Sequence, residues 1–521
     1  MKICILTAGK GTRMGPYSKQ INKALLPIDS KAVISHIIKK FSINDTFVVA
    51  LGYKGNQVVN YLKTAHPNNK FEFVEVENYD GEGSGPGLSL LSSMNNLQEP
   101  FLFFACDGLF FDNMTNFESD WIGISKIKSD ESHNYCNVLI KDQNVVEIRD
   151  KQKCDESYYA FTGAMFIKNY KTFWDYLKNG EMIDNEHQIS SGLKGLIDRQ
   201  NVKGNQNDWK DVGDITKYNN MISKNDFFDF SKPNEFIYFV NNRVIKFSLD
   251  SDKVEKLIKK CNMHKSIFPN IHSSGNNFLY YEFFEGKLFY EIEDVKLFEV
   301  LLKWLSDNLW KPISIDRKKM EITCRKFYLE KTKDRLEQFR KKYPDYKLPD
   351  IVNKSKIHSL DEILDKIPWD DIFNGVSYFI HGDLNFGNIL YNKSKDQFRL
   401  IDARVDFGGN VEYGDIYYDL AKLYAGLIIN FNHIKKNQFQ YTRTSDSAEI
   451  SFESWGMRDS YLEILEKYIV TQNFDLEKIK ILAAITFLNM APLHNYPFDH
   501  LLMGFGAKTL DDELFKKNNT A

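Results

Sequence analysis

The sequence predicts an α/β protein with two domains. The first domain is built on a parallel sheet, and the second has a small β lobe followed by a larger, mostly helical lobe. The 521 residues are too many for one ordinary hydrophobic core. Apolar residues make up 43% and charged residues 27%, which excludes a disordered or fibrous protein. Strand and helix patterns alternate at the start of the chain, and long helical patterns follow Val295.

Four short runs of β-branched and aromatic residues in the first domain are predicted strands. Between them, the segment from Ala32 to Phe41 puts its apolar side chains on one helical face, as in a parallel sheet with covering helices. Ligands of such sheets bind beyond the C-terminal strand ends, so the loops after Leu6 and Ala105 are predicted to carry function. The strands are Lys2 to Leu6, Phe47 to Leu51, Phe71 to Val76 and Phe101 to Ala105.

The second domain is predicted to begin in a polar stretch between Ile222 and Glu235, which places the domains at residues 1–225 and 226–521. Two apolar runs joined by an Asn-Asn turn follow this stretch, and they predict a β-hairpin. The hairpin strands are Phe236 to Val240 and Arg243 to Phe247.

Helical patterns dominate the rest of the second domain. A charged helical stretch is predicted from Arg317 to Tyr343 and a buried helix from Ile481 to Leu493, with a strand-rich patch from Phe379 to Asp402 between them. Residues 435–456 have no clear period and are predicted to be a loop or an insertion.

Charge and composition exclude several classes of function. The 68 basic and 71 acidic residues give a net charge of −3, so no global positive field would bind nucleic acid. The six cysteines lack the spacing of a zinc site or a disulfide framework. The opening apolar run lacks a cleavage site, and no window reaches the roughly 20 apolar residues of a membrane span. We therefore expect a cytoplasmic protein without membrane insertion.

A glycine-rich loop directly follows the first strand. Gly9, Gly11 and Thr12 let backbone N–H groups close around phosphate oxygens, while Arg13 and Lys23 supply positive charge. The strings GKGTRM and KALLP resemble the nucleotidyltransferases that make nucleotide-activated sugars and alcohols, whose signature is G-x-G-T-R-M/L followed by K-x-L-x-P. The resemblance implies a Rossmann-like nucleotidyltransferase domain in which Arg13 and Lys23 are catalytic and the other three residues bind the nucleotide.

Two aspartates are predicted to hold Mg²⁺ in this domain. Asp107 ends an apolar strand, where a carboxylate is suited to hold the ion against phosphates. The resemblance implies that Asp211, in the string WKDVG, is the second carboxylate of the site. It also implies that Lys151 and Gly163 bind the acceptor, although Lys151 equally suits a solvated surface position.

The stretch GEGSGPGLS, which contains Gly83 and Ser84, corresponds in position to the family's nucleobase-reading segment. Its glycines permit close approach of a base without specifying which one. The implied reaction is attack of an acceptor phosphate on the α-phosphorus of a nucleoside triphosphate, which releases pyrophosphate.

A second chemical motif lies in the strings IHGDLNFGNILY and FRLIDARVDFGG. In phosphoryl transfer to an alcohol, one Asp accepts the hydroxyl proton while an Asn and another Asp hold Mg²⁺. Asp383, Asn388 and Asp402 have this spacing and order. The motif resembles the aminoglycoside phosphotransferase and choline kinase superfamily, which implies a bilobal, protein-kinase-like (α+β) phosphotransferase domain.

The same resemblance implies an ATP site. Lys246 lies on the second hairpin strand, where the superfamily's ATP-binding lysine lies, although a surface lysine on an edge strand is an alternative. Glu282 and Phe284 lie in the segment that resembles the hinge between lobes, whose backbone would hold adenine.

The acceptor of the second domain is predicted from an acidic and aromatic neighbourhood suited to a cationic amine such as choline or ethanolamine. The alternative is that Asp419 is structural and the tyrosines pack a helix. The residues are Asp406, Glu412, Tyr413, Asp415, Tyr417, Tyr418 and Asp419.

The two motifs together predict a bifunctional enzyme. A kinase would make a phosphomonoester from a small alcohol and ATP, and the nucleotidyltransferase would join that product to a nucleotide, with CTP as the leading choice, for decoration of cell-surface polysaccharide. The alternatives are a sugar kinase joined to a sugar-1-phosphate nucleotidyltransferase, and a regulatory or scaffold protein with one inactive domain.

Overall fold

A computed structural model describes residues 1–114, 117–183, 185–222, 234–453 and 455–515. Of these, residues 1–222, 234–251 and 273–283 belong to one compact unit, and 252–272 and 284–515 belong to another. The boundary stretch after Ile222 lies almost wholly outside the described residues. The predicted hairpin belongs to the first unit. The assignment of the two domains to residues 1–225 and 226–521 stays a prediction.

The strands up to the second unit are β1 (Lys2–Leu6), β2 (Pro27–Ile28), β3 (Lys31–Ala32), β4 (Thr46–Leu51), β5 (Lys70–Glu75), β6 (Phe101–Ala105), β7 (Gly108–Phe110), β8 (Trp121–Ser125), β9 (Cys136–Lys141), β10 (Asn144–Asp150), β11 (Tyr158–Ile167), β12 (Lys203–Gln206), β13 (Trp209–Asp211), β14 (Glu235–Val240), β15 (Arg243–Ser248), β16 (His272–Ser273) and β17 (Phe278–Glu282). Nine of these strands form one mixed sheet of the first unit, in the order β5-β4-β1-β6-β11-β8-β12-β10-β9. The helices are α1 (Pro16–Gln20), α2 (Val33–Ile38), α3 (Gly55–Ala65), α4 (Pro86–Ser92), α5 (Tyr170–Lys178), α6 (Ser190–Ile197) and α7 (Ile215–Ile222).

The predicted parallel arrangement is confirmed for the first four strands of this sheet. β1 pairs in parallel with β4 on one side and with β6 on the other, and β4 continues in parallel to β5. The strand order reverses beside β1, and such a switch point opens a crevice beyond the carboxyl ends of the strands. The sheet differs from the prediction beyond β6, where β11 runs antiparallel to it.

The hairpin of β14 and β15 is confirmed, and both of its turn residues have positive φ, 49° at Asn241 and 59° at Asn242. These angles match the two-residue turn that suits twisted strands. Tyr238 anchors the hairpin within the first unit, since its hydroxyl donates to the carbonyl oxygen of Leu25 at 2.7 Å and its ring lies 4.9 Å from the ring of Tyr61.

The second unit is mainly helical with several short strands. Its helices are α8 (Ser251–Met263), α9 (Val295–Asn308), α10 (Arg317–Cys324), α11 (Lys331–Lys342), α12 (Leu360–Lys366), α13 (Trp369–Phe373), α14 (Ile416–Ile428), α15 (Phe431–Lys435), α16 (Arg458–Thr471), α17 (Leu476–Met490) and α18 (Phe498–Phe515). Its strands are β18 (Lys287–Leu288), β19 (Lys311–Pro312), β20 (Ile351–Val352), β21 (Ser355–Lys356), β22 (Ser377–Phe379), β23 (Ile389–Asn392), β24 (Gln397–Leu400), β25 (Gly414–Asp415), β26 (Phe439–Arg443) and β27 (Ser447–Phe452).

The prediction of a loop at residues 435–456 is wrong between Phe439 and Phe452, and the alternative of an insertion stays a prediction. Strands β26 and β27 form an antiparallel pair there, and β27 also pairs in parallel with β20. The kinase-like fold of this unit stays a prediction. None of the helices in the described part of the chain combines the length and the apolarity that a bilayer crossing requires.

Candidate active sites

The switch point of the first unit opens into a cavity of about 790 Å³. Leu6 and Ala105 are register partners at the ends of β1 and β6, so the loops that follow these strands leave the sheet side by side. This register brings the glycine-rich loop to the aspartate that follows β6. The predicted residues that line the cavity are Gly9, Gly11, Thr12, Arg13, Lys23, Ser84, Asp107 and Lys151.

Asn22 fixes the backbone that carries Lys23, and the sequence analysis did not select it. Its buried side chain donates to the carbonyl oxygens of Thr7 at 2.9 Å and Tyr53 at 2.7 Å. The same side chain accepts a hydrogen bond from the backbone N–H of Ala24 at 2.9 Å. A fully bonded buried amide of this kind rigidifies the loop around it.

Asp107 and Lys23 form an ion pair, with 3.2 Å between Oδ2 and Nζ. Burial alone would raise the pKa of Asp107, but Lys23 and Arg13 outweigh it and lower the pKa below its ordinary value. Gly11 permits the close approach of the loop, because it has a φ of +63° and an added Cβ would lie 3.2 Å from Cβ of Lys23. The carboxylate at the end of β6 is therefore ionised and held by a cation.

A two-stranded sheet brings Asp211 beside Asp107. Strand β13 pairs with β7 so that Asp211 lies opposite Gly108, the residue after Asp107. The two aspartates line a second cavity of about 220 Å³. Arg13, Lys151 and Gly163 also line it, so this cavity shares residues with the larger one.

Asp211 is held by Lys217 and Tyr135, neither of which the sequence analysis selected. Lys217 Nζ lies 2.6 Å from Asp211 Oδ2, and the Tyr135 hydroxyl donates to the same oxygen at 2.8 Å. Burial lowers the pKa of Lys217, but its hydrogen bonds to Asp211 and Tyr135 outweigh burial and raise the pKa overall. Each of the two aspartates is thus matched by one lysine.

The remaining predicted residues of this unit lie near the same crevice. Gly163 has a φ of +81°, and an added Cβ would lie 2.7 Å from Cβ of Ala105, so a side chain there would displace β6. Lys151 is exposed, with its Nζ 3.2 Å from the Glu186 carboxylate. Gly83 is not among the described residues that line the two cavities, and its N–H donates to the carbonyl oxygen of Asn185 at 2.9 Å.

The donor set at Asp107 and Asp211 fits Mg²⁺. Within the described ranges no group of three or more His, Cys, Asp and Glu residues is placed to hold a metal. Mg²⁺ does not need one, because it is commonly held by one or two carboxylates with water and substrate phosphates completing its shell. The two aspartates supply hard oxygen ligands. In the structure their carboxylates form ion pairs with Lys23 and Lys217.

Comparison with known families bears on this unit. Residues 3–115 match the family model of the MobA-like NTP transferase domain. The first unit contains an NTP transferase domain. The match covers the glycine-rich loop, Lys23 and Asp107, and it ends before Asp211.

Two curated relatives and one solved structure each align with less than half of this chain. The bifunctional protein GlmU of Methanococcus aeolicus is 28% identical over 235 residues, which are 43% of this chain and 55% of that protein. The chain thus spans about half the length of this curated relative. A probable glucose-1-phosphate cytidylyltransferase of Bacillus subtilis is 41% identical over 65 residues, 12% of this chain and 25% of that protein. The CTP:phosphocholine cytidylyltransferase structure from Streptococcus pneumoniae aligns with a TM-score of 0.35 at 19% identity, over 42% of this chain and 96% of that chain.

The second unit brings Asp383 and Asn388 together. The Asn388 side chain donates to the carbonyl oxygen of Asp383 at 2.9 Å and lies 3.4 Å from its Oδ2. Lys422, on α14, lies 2.9 Å from Asp383 Oδ1. Burial alone would raise the pKa of Asp383, but Lys422 and Arg404 outweigh it and lower the pKa well below its ordinary value.

His381 and Asp419 form the scaffold of the Asp383 loop. Asp419 is buried and accepts the backbone N–H groups of His381 at 2.8 Å and Gly382 at 2.7 Å. The His381 ring lies 2.9 Å from the carbonyl oxygen of Ile401 through Nε2, while its Nδ1 accepts the N–H of Asp383 at 3.2 Å. These contacts match a neutral imidazole with its proton on Nε2, which supports the loop through hydrogen bonds.

Replacing His381 with Gln is expected to remove part of the acid sensitivity of the fold. Burial lowers the pKa of His381 to about 4. The unfolded chain therefore binds a proton between pH 6.5 and 4 that the folded chain excludes, and the free energy of unfolding falls as the pH drops through that range. Between pH 7 and 5 this group accounts for about 2 kcal/mol in the wild type.

Urea unfolding followed by tryptophan fluorescence at pH 7 and pH 5 would measure this difference. Gln retains a donor for the carbonyl oxygen of Ile401 but cannot titrate, so the variant should lose less stability on acidification than the wild type. An equal loss in both proteins would contradict the assignment.

The other residues predicted for the kinase have less defined surroundings. Asp402 follows β24, is exposed and has a φ of 58°. Lys246 lies on β15 of the first unit with Nζ 5.7 Å from the ring of Tyr281, and Glu282 ends β17 there. Because β15 pairs with both β14 and β17, the alternative of an edge-strand lysine is wrong. Phe284 belongs to the second unit, and nucleotide binding by these residues stays a prediction.

Two of the acidic residues expected to attract an amine are buried and hydrogen-bonded within the fold, and a third forms an ion pair at the surface. Asp415 is fully buried, where it caps α14 and accepts the Tyr328 hydroxyl at 2.9 Å. Asp419 holds the Asp383 loop, and the exposed Glu412 pairs with Lys259 at 3.0 Å. The structural alternative for Asp419 therefore holds.

Proposed function

We propose that the chain is a bifunctional transferase. The second unit would transfer the γ-phosphoryl group of ATP to a small alcohol, and the NTP transferase domain would transfer a nucleotidyl group to the resulting phosphomonoester. The observation that carries this proposal is that each unit holds an ionised aspartate against a lysine at its predicted reaction centre, Asp107 with Lys23 and Asp383 with Lys422. The product of one site is the acceptor that the other requires.

In the NTP transferase domain, a phosphate oxygen of the acceptor would attack the α-phosphorus of the triphosphate. A phosphorus–oxygen bond forms, the bond from the α-phosphorus to the bridging oxygen breaks, and pyrophosphate leaves with the electron pair. Lys23 and Arg13 line the cavity and would offset the charge that develops. Asp107 and Asp211 would hold Mg²⁺, which neutralises phosphate charge when bound.

In the second unit, the alcohol oxygen would attack the γ-phosphorus of ATP. Its proton passes to the Asp383 carboxylate, the bond from the γ-phosphorus to the bridging oxygen breaks, and ADP leaves. Lys422 keeps Asp383 ionised, and Asn388 orders the loop through the Asp383 carbonyl. Asn388 and Asp402 would hold Mg²⁺ at this site.

CTP is the proposed nucleotide donor, and the name of the Bacillus subtilis relative supports a cytidylyl transfer. The same name supports a second candidate, in which the acceptor is a sugar 1-phosphate and the kinase acts on a sugar. Choline or ethanolamine as the alcohol, and cell-surface polysaccharide as the destination, stay predictions from the sequence resemblance.

Two assays on the full chain test the proposal. The protein is incubated with Mg²⁺, ATP and a panel of alcohols and sugars while ADP is measured, and separately with each of the four nucleoside triphosphates and a panel of phosphomonoesters while pyrophosphate is measured. We expect activity in both assays. Activity in one assay alone would support the regulatory or scaffold alternative for the other unit, and activity in neither would overturn the proposal.

A further inference from the structure

Three basic side chains of the second unit contact the loop of residues 381–383 directly, and one of them, Lys260, donates to the carbonyl oxygen of His381 at 3.3 Å. Lys422 lies 2.9 Å from Asp383, as described above. Arg404 donates through Nε to the carbonyl oxygen of Gly382 at 3.0 Å. Lys422 and Arg404 thus both contact the predicted reaction centre.

A further cation, Lys331, shares two aromatic rings with Arg404. Its Nζ lies 4.0 Å from the centroid of Phe327 and 5.5 Å from that of Tyr418. The guanidinium carbon of Arg404 lies 5.4 Å and 5.9 Å from the same two centroids. Both cations are therefore held beside one aromatic pair, and Arg335 follows Lys331 by four residues on the same face of α11. We call Lys331, Arg335, Arg404 and Lys422 the basic cluster.

The helix that carries half of this cluster is locally irregular. Residues Arg325–Glu330 form a π-helical segment between α10 and α11. Such segments are rare, cost helical hydrogen bonding and frequently occur at functional sites. This one contains Phe327 and directly precedes Lys331, so the irregular turn lies where the helix meets the aromatic pair.

The positive charge is incompletely balanced at Lys331 and Arg335, since the pKa of each is lowered while the pKa values of Arg404 and Lys422 are raised. Burial lowers the pKa of Lys331 well below its ordinary value, and repulsion by Arg404, Lys422 and Arg335 lowers it further. Asp383 acts on Lys331 in the opposite direction but is itself paired with Lys422. Burial lowers the pKa of Arg335 and of Arg404, and the charges of Asp334 and Asp406, respectively, act in the opposite direction. A partly buried group of like charges is unfavourable unless an anion joins it.

We infer that the alcohol phosphorylated at Asp383 carries an anionic group, a carboxylate or a phosphate ester, which binds the basic cluster through Lys331 and Arg335. This inference rests on the proposed kinase activity of the second unit. Arginine and lysine side chains recognise both kinds of anion through charge-assisted hydrogen bonds. Two of the acidic residues expected to attract a cationic amine, Asp415 and Asp419, are instead buried and hydrogen-bonded within the fold.

The first test compares alcohols of different charge on the full chain with ATP and Mg²⁺. Glycerate and glycerol 3-phosphate represent the two anionic classes, choline and ethanolamine the cationic class, and glycerol and glucose the neutral class. ADP formation with an anionic alcohol is the expected result. Turnover confined to cationic or neutral alcohols would overturn the inference while leaving the proposed kinase intact, whereas no turnover with any alcohol would overturn both.

The second test separates the alcohol from the phosphates of ATP. Replacing Lys331 with Met should raise the KM for the anionic alcohol at least about tenfold and leave the KM for ATP unchanged, because a charge-assisted contact to the alcohol is lost. Lys331→Arg should restore most of the affinity. Lys333, exposed on the same helix, provides the matched control Lys333→Met, which should change neither constant. A rise in the KM for ATP alone would assign the cluster to ATP and overturn the inference.

Discussion

Replacing Asp383 with Asn is expected to lower phosphoryl transfer to the alcohol by about 10²- to 10⁴-fold, the range typical of a lost general base. Asn retains the shape of the side chain but cannot take the hydroxyl proton. It also leaves Lys422 beside a neutral amide in place of the carboxylate 2.9 Å away. Pyrophosphate release by the NTP transferase domain should stay within about twofold of the wild type, since Asp383 takes no part in that proposed reaction.

Steady-state ADP formation and pyrophosphate release, measured on the same preparation, check this prediction. The matched control is Asp361→Asn, because the Asp361 side chain is 83% exposed and pairs only at the surface with Arg340. This control should leave both rates unchanged. An Asp383→Asn protein that unfolds at the wild-type temperature and still phosphorylates the alcohol at a wild-type rate would refute the role of Asp383.

The position of the candidate site in the first unit could be predicted from the sequence because local patterns determine it. Strand β1 is a short apolar run that ends at a glycine-rich loop, and β6 is another that ends at Asp107. Parallel pairing of the two strands then places their carboxyl ends side by side. These features depend on residues close in sequence and on one general property of parallel sheets.

The residues that the sequence analysis missed depend on distant contacts. Lys422 reaches Asp383 from a helix 39 residues further along the chain, and Tyr135 reaches Asp211 across 76 residues. Tyr135 lies in no recognisable motif, and Lys422 lies in the string GDIYYDLAKL, which resembles a downstream element of the kinase superfamily without indicating a partner for the lysine. Only the folded chain brings the two pairs together. Arg404 and Lys331 likewise lie beside the same two rings, those of Phe327 and Tyr418. The π-helical segment that carries Phe327 could not be predicted, because the spacing of apolar residues indicates only an ordinary α-helix.

The hairpin of β26 and β27 was missed for a different reason. Its outward positions are polar and charged, so the segment resembles a loop in composition. Burial nevertheless alternates along β27, with Ala448 and Ile450 buried and Glu449 exposed between them. Period-two alternation was present in the sequence, and it is the signal of a strand with one solvated face.

Replacing Asp107 with Asn is expected to lower pyrophosphate release by at least about 10²-fold, because loss of a charge-stabilising group at a reacting phosphate typically costs several kcal/mol. The change removes a carboxylate that would hold Mg²⁺ and also the partner of Lys23 at 3.2 Å. The Mg²⁺ concentration for half-maximal activity should rise as well. Phosphoryl transfer to the alcohol should be unaffected.

Asp142→Asn is the matched control, because Asp142 is exposed in a turn of the first unit with a φ of 50°, a conformation that Asn tolerates well. Magnesium titrations of pyrophosphate release, with ADP formation measured in parallel, separate the two sites. If Asp107→Asn and Asp383→Asn each abolished one activity and spared the other, mixing the two variants would restore the complete two-step conversion through a diffusing phosphomonoester. If either change abolished both activities in a folded protein, the two units could not be independent catalysts, and the proposal of consecutive reactions at separate sites would fall.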